Sequence, residues 1–230
     1  MPRAQRNRSL KVEKIREAFV ESGWFKGNGA YVLFDGQFGS TGKGLLASLI
    51  AEVVGEDIDM VATNAGPNSG HVGYFRGDMV RTQQLPVASI VMRKLGLRPV
   101  VYLNGGAIVD FDILENEINN YLLGGPHAAL VHLHPAAAVI TDKHRGLNQD
   151  IASTGKGTGP ATADKTNRRS SAVVQGNMFE IARRDDLYPY LQLIVPPTLH
   201  DSRILVETAQ GWSLGINSGF YPHTTSRECS

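Results

Sequence analysis

The sequence predicts an α/β fold with a largely parallel central sheet and phosphate-binding loops at the carboxyl ends of its strands. Three observations predict it. An apolar run, Tyr31-Val32-Leu33-Phe34, enters a glycine-rich turn from Asp35 to Gly44 and leaves as a helical apolar segment, Leu45 to Val54. Strand, turn and helix in that order open an α/β unit. Apolar strands then alternate with helical segments along 230 residues without an internal repeat. Three of the strands run into loops of Gly, Asn, Gln or Thr, at 36–44, 64–71 and 208–211. Open α/β sheets bind ligands beyond such strand ends, so these loops are expected to face one pocket.

Taken in order, residues 1–28 read as a basic tail and a short helix, and 29–230 as one α/β domain. Residues 1–8 read as disordered. Leu10, Val12, Ile15, Phe19 and Val20 share one helical face, which places an amphipathic helix over 9–22. Gly23 to Gly29 is a break. Beyond the first strand, Val61-Ala62-Thr63 and Pro99 to Leu103 read as strands, with a helix over Ser89 to Leu95 between them. Ile113 to Leu123 reads as a helix capped by Asp112. Ala129 to Leu133, Ala138 to Ile140 and Arg203 to Glu207 are further strands, and 153–170 reads as a loop rich in Gly, Ser, Thr and basic residues.

Composition excludes several classes. With 42% apolar and 20% charged residues and a net charge of +1, the chain has the makings of a packed core rather than of a disordered segment. No apolar run approaches the roughly 18 residues of a membrane span, so no membrane association is expected. The single cysteine, Cys229, permits no intrachain disulfide. The start has no apolar leader core, so the expected location is cytoplasmic. Residues 1–16 carry a net charge of +5, but no basic stripe follows, and nucleic acid is not an expected partner. His132 and His134 share one strand face with no third ligand at metal-site spacing, so no zinc site is predicted.

Gly39-Ser40-Thr41-Gly42-Lys43-Gly44 carries the chemistry. Glycines let the backbone approach an anion closely, helix-start amides point at it, and Lys43 adds a full charge. The loop is not a Walker A motif. That motif needs Gly six residues before the lysine and Ser or Thr after it, and here those positions hold Gln37 and Gly44.

Four segments in order resemble the adenylosuccinate synthetase family. Gln37 to Gly44 resembles its phosphate loop, Gln-Trp-Gly-Asp-Glu-Gly-Lys-Gly. Asn68-Ser69-Gly70-His71 resembles its Asn-Asn-Ala-Gly-His segment. Ser153 to Ala161, with Asp164-Lys165 and Arg168-Arg169, resembles its Thr-Thr-Gly-Arg-Gly-Ile-Gly-Pro-Ala…Asp-Lys…Arg-Arg. Glu207 to Gly211, with Tyr221-Pro222 and Thr225-Ser226, resembles its Glu-Gly-Ala-Gln-Gly…Tyr-Pro…Thr-Ser. The resemblance implies that family's fold and a carbon–nitrogen ligase. One departure matters. The family's loop aspartate, its catalytic base and magnesium ligand, is Ser40 here, a hydroxyl un-ionised at neutral pH. The same Gln-Phe-Gly-Ser-Thr-Gly-Lys-Gly, with a later motif closing in Thr-Ser-Arg as at Thr225-Ser226-Arg227, is found in the family's PurZ-like branch from phages and archaea.

That branch implies condensation of deoxyguanylate with L-aspartate, driven by ATP or GTP with Mg2+, to N6-succino-2-amino-deoxyadenylate, on a route to 2-aminoadenine nucleotides. A short neutral side chain at 40 leaves room for guanine's 2-amino group beside N1. The implied catalytic residues are Ser40, Lys43 and His71. Gly39, Ser40, Thr41, Gly42, Lys43 and Gly44 would hold phosphate. Asn68, Ser153, Thr154, Gln210, Leu214 and Thr225 would bind the nucleotide, with Arg168 reaching the acceptor phosphate of a second copy, which implies a homodimer. Ser40 and the Gly70 carbonyl would ligate magnesium. The family continues well beyond the last motif found here, so the chain reads as a truncated member. An ordinary adenylosuccinate synthetase acting on inosinate, and a nucleotide-binding fragment without turnover, are the alternatives.

Overall fold

A computed structural model describes residues 3–122, 130–147, 154–184, 191–194, 201–218 and 220–229. Helix α1 (Arg3–Ser22) leads into strand β1 (Gly29–Leu33) and helix α2 (Lys43–Val54). β2 (Met60–Thr63) follows, then a hairpin of β3 (His71–Phe75) and β4 (Asp78–Thr82), and helix α3 (Val87–Lys94). β5 (Val100–Leu103), β6 (Ile108–Val109) and α4 (Phe111–Glu117) precede β7 (Leu130–Leu133) and β8 (Ala138–Val139). α5 (Thr158–Thr166), α6 (Met178–Ala182), β9 (Leu191–Leu193) and β10 (Arg203–Glu207) complete the described elements. Among them no helix is long and apolar enough to cross a membrane.

The main sheet has the order β1-β10-β2-β5-β7-β9, and every pairing in it is parallel. β2 is buried at all four positions, as expected of a strand enclosed within a parallel sheet. The principal core joins Val61, Val101, Leu103, Val131, Leu133 and Leu205 of the strands to Ile50 and Val53 of α2 and Ile90 and Val91 of α3. A smaller cluster, Met60, Ala62, Tyr102 and Ile204, lies on the opposite face.

The register sets up the site. Leu33, Glu207, Thr63, Leu103 and Leu133 pair across successive strands, so the carboxyl ends are level. The last strand in sequence, β10, lies between β1 and β2. Loops far apart in the chain therefore leave three adjacent strands side by side. Glu207 ends β10 inside the protein and accepts from the amides of Val87 and Ala88 at 3.0 and 2.7 Å, so a carboxylate at the start of α3 ties that helix to the sheet. Burial nevertheless pushes its carboxyl up to about 7, against these two hydrogen bonds.

Four sequence expectations change. α1 begins at Arg3, not near residue 9 after a disordered start: Arg3, Ala4, Gln5 and Arg6 are helix formers that extend it backwards. The cap of α4 is Asp110, not Asp112. Its carboxylate accepts from the amides of Asp112 and Ile113, the helix starts two residues earlier than expected, and it passes into a wider π turn at Ile118. Within 153–170 lies a helix, α5, because Gly157 takes φ 79° and Pro160 falls in a first turn that needs no amide donor. The β3–β4 hairpin had no sequence counterpart. It turns on Arg76 and Gly77, both at positive φ (51° and 96°), as a two-residue hairpin turn requires.

Candidate functional site

The glycine-rich loop leaves β1 in a left-handed course. Gly39, Ser40 and Gly42 have φ of 88°, 57° and 97°, and Gly42 caps α2 without a side-chain hydrogen bond. The first amides of α2 thus lack a capping side chain, which is how helix starts receive anions. Gly211 lies under this loop, where any Cβ would collide with the carbonyl of Gln37 and the amide of Gly39. Trp212 N–H to the Asp35 carbonyl (2.8 Å) and Ser213 N–H to the Gln37 carbonyl (2.9 Å) fasten the β10 loop to the β1 loop. Ala209 N–H to Asn64 Oδ1 (2.8 Å) fastens it to the β2 loop.

On the other side, the hairpin packs against the first turn of α2. A Cβ at Gly44 would meet the Val72 carbonyl at 2.6 Å, so only glycine permits this approach. The approach sets His71, the first residue of β3, against the phosphate loop. His71 is 5% exposed and its Nε2 has no hydrogen-bond partner. Burial, with the positive charges of Lys43 and Arg227, lowers its pKa to about 4, so it is neutral at physiological pH.

Between these walls is a cavity of 390 Å³ lined by Gly39, Ser40, Gly42, Lys43, Gly44, Asn68, Gly70, His71, Gln210 and Leu214, with Phe38, Ser69 and Val72. The three strand-end loops do meet. Ser40 and Gly70 both border the cavity, and two neutral oxygens suit Mg2+, which takes its remaining ligands from water and phosphate. Thr225 adjoins it, its hydroxyl 3.5 Å from Asn68 Nδ2. Thr41 does not border the cavity; its hydroxyl turns inward to Asp35. Thr154 and Arg168 are exposed and outside the cavity, and Ser153 lies outside the described residues.

Two residues to which the sequence assigned no role hold the site together. Asp35 is buried beneath the loop and receives the Thr41 hydroxyl (2.5 Å), the Gln37 amide (2.8 Å) and Lys43 Nζ (3.1 Å). Burial alone would raise its pKa, but these donors bring it down to about 2. The available signal was a carboxylate directly after an apolar strand end. Arg227 donates from Nη1 to the carbonyls of Asn64 and Gly106 (3.0 Å for the latter), joining the β2 and β5 loops, while its Nη2 is sealed from solvent without a partner. Asn68 Oδ1 and Ser226 Oγ are likewise buried and unpartnered. Such groups are costly unless something completes them.

Comparison with known proteins fits this arrangement. The family model for adenylosuccinate synthetase matches residues 32–192. The N6-succino-2-amino-2'-deoxyadenylate synthase of Salmonella phage PMBT28 is 34% identical over 224 residues, covering 87% of this chain and 58% of its own length. The succinoaminodeoxyadenylate synthetase (PurZ) of Cyanophage S-2L, solved bound to dGMP and to dATP as an energy donor, superposes with a TM-score of 0.72 at 27% identity, over 89% of this chain and 57% of its own. The fully ligated adenylosuccinate synthetase of Plasmodium falciparum, 18% identical with a TM-score of 0.67, shares the fold. The chain spans less than two thirds of the length of each of these relatives.

Proposed function

The chain belongs to the adenylosuccinate synthetase family, and from that premise we propose that it forms the nucleotide-binding part of a ligase that joins L-aspartate to deoxyguanylate. The product is N6-succino-2-amino-2'-deoxyadenylate. The observation that carries this reading is Ser40, a neutral side chain bordering the cavity where the ordinary family has its carboxylate. The phage relatives are named for this reaction, and one was solved with dGMP and dATP, which favours an adenine triphosphate as donor over GTP.

In this reading the purine's 6-oxygen attacks the γ-phosphorus of the donor, and the nucleoside diphosphate leaves. The aspartate amine then displaces the new phosphate at C6. Lys43 and the first amides of α2 stabilise the charge on the transferring phosphates. His71 is neutral, so it can donate one hydrogen bond to the 6-oxygen or the phosphoryl group. Asn68 and Thr225 take the acceptor's 5'-phosphate, with Gln210 and Leu214 beside the purine. Ser40 and the Gly70 carbonyl would hold Mg2+, which when bound would supply charge neutralisation for the phosphates. Thr154 and Arg168, exposed in a single chain, reach a phosphate in a homodimer with shared sites. The proton on N1 leaves to water or to the substrate's own carboxylate, since Ser40 is no base.

The test is an assay with deoxyguanylate, guanylate or inosinate, plus L-aspartate, Mg2+ and either ATP or GTP, reading the succinylated purine. It is run on this chain and on one extended to the relatives' full length. Succinylation of deoxyguanylate is the expected result. Exclusive use of inosinate would overturn the branch assignment, and nucleotide binding without phosphate release by both chains would favour a binding role alone.

A further inference from the structure

Between Leu33 and Gly44 there is a single carboxylate, and it is Asp35, five residues before the position the family gives to its aspartate. Its side chain has no exposure to solvent. Lys43, the loop's only cation, is committed on both sides: Nζ lies 3.1 Å from Asp35 Oδ2 and donates to the Gln210 carbonyl at 2.6 Å. Thr41, which borders an anion cradle by sequence, gives its hydroxyl to the same Oδ2. The charges of Lys43 and Asp35 therefore cancel within the loop: Lys43 borders the cavity with its ammonium already engaged, and Thr41 turns its hydroxyl to Asp35.

We propose that Asp35 is an internal counter-anion of the phosphate loop, a positioning residue that holds Lys43 and Thr41 in place until a polyphosphate arrives together with a divalent cation. The proposal rests on the loop being the donor-phosphate site. A bare polyphosphate must compete with a buried carboxylate for one ammonium, and it brings its own negative charge toward that carboxylate. A divalent cation carried in with the phosphates offsets the repulsion, so Lys43 can serve both anions. Asp35 thereby makes nucleotide capture selective for the metal complex. It is not the missing proton acceptor: a carboxyl held near 2 stays ionised at neutral pH and takes up protons poorly.

The test is calorimetric titration of the chain with sodium tripolyphosphate, in EDTA and in Mg2+, for wild type and Asp35→Asn. Wild type is expected to bind the magnesium complex about tenfold or more tighter than the free anion. Asp35→Asn frees Lys43, so it is expected to bind metal-free tripolyphosphate about tenfold tighter than wild type and to gain little from Mg2+. Equal metal-free affinities of the two proteins overturn the counter-anion role while leaving the phosphate site standing. Absence of tripolyphosphate binding by both proteins in both buffers overturns the phosphate-site reading itself, and the proposal with it. If Asp35→Asn does not fold, wild type alone decides: a magnesium effect below about threefold sinks the proposal.

Discussion

The two walls of the cavity solve the same problem in opposite ways. The β1 wall, from Asp35 to Gly44, is polar but internally satisfied, since its cation, its threonine and its carboxylate are partners of one another. The facing wall, from Asn68 to His71 with Ser226 and Arg227 behind it, keeps four buried polar atoms without partners. A ligand on the first wall must exchange one set of contacts for another, so its net gain is small and depends on what accompanies it. A ligand on the second wall completes groups whose desolvation cost is already present in the folded state. In the proposed reaction the first wall meets a donor that arrives with metal, and the second holds the acceptor nucleotide. Discrimination and affinity are thus divided between them.

The largest way to break this comparison is to separate the walls. Gly44→Ala places a methyl group against the Val72 backbone, which no rotamer change can relieve, and the hairpin must shift away from α2. A loss of about 3 kcal/mol of stability is expected, together with deprotection of the β3 amides in hydrogen exchange. A variant as stable as wild type would show that the contact between walls is not built into the loop.

The next test uses pH, because His71 on the second wall and Glu207 at the end of β10 both have titrations displaced within the range between pH 4 and 7. His71 has a folded pKa of about 4 against 6.5 when unfolded, so its contribution is present above pH 6.5 and is lost as pH falls toward 4. Glu207 has a folded pKa of about 7 against 4.5, so its contribution is present below pH 4.5 and is lost as pH rises through 7. Between pH 7.5 and 5 each amounts to about 2 kcal/mol, with opposite signs. His71→Asn should therefore gain stability on acidification relative to wild type, and Glu207→Gln should lose it. The readout is the change in stability with pH rather than its level, because the carboxamide introduced by Glu207→Gln has one acceptor oxygen for the two α3 amides. Parallel pH profiles for all three proteins would refute both placements.

Much of this was legible in the sequence. The Tyr31-to-Val54 sweep and the strand-end loops followed from apolar runs meeting glycine and asparagine, and those loops do converge, because β10 inserts between β1 and β2. What the sequence hid depended on partners distant along the chain. Asp35 looks like an ordinary residue after a strand until Thr41 and Lys43 fold back on it. Glu207 looked like a plain strand end, yet it ties down a helix 120 residues earlier in the chain. Arg227 closes a motif that resembles the phage branch, but its role as a clamp exists only once the Asn64 and Gly106 carbonyls are neighbours. Helix α5 was masked by composition: Gly157, Gly159 and Pro160 are breakers inside a helix and acceptable at its start.

The smallest expected effect is the most specific to function. Ser40→Asp restores the carboxylate of the ordinary family at a position whose left-handed backbone, φ 57°, aspartate tolerates better than most residues. The change should therefore leave stability almost untouched. It adds a second negative charge to the wall that already contains Asp35, at the place where guanine's 2-amino group needs room and where inosine's N1 needs a base. In the chain extended to the relatives' length, the ratio of kcat/KM for inosinate over deoxyguanylate should rise by about tenfold. The deoxyguanylate term should fall through KM if crowding dominates, and the inosinate term should rise through kcat if the new base dominates. An unchanged ratio would mean that the acceptor base does not lie beside residue 40, and that its identity is read by the opposite wall instead.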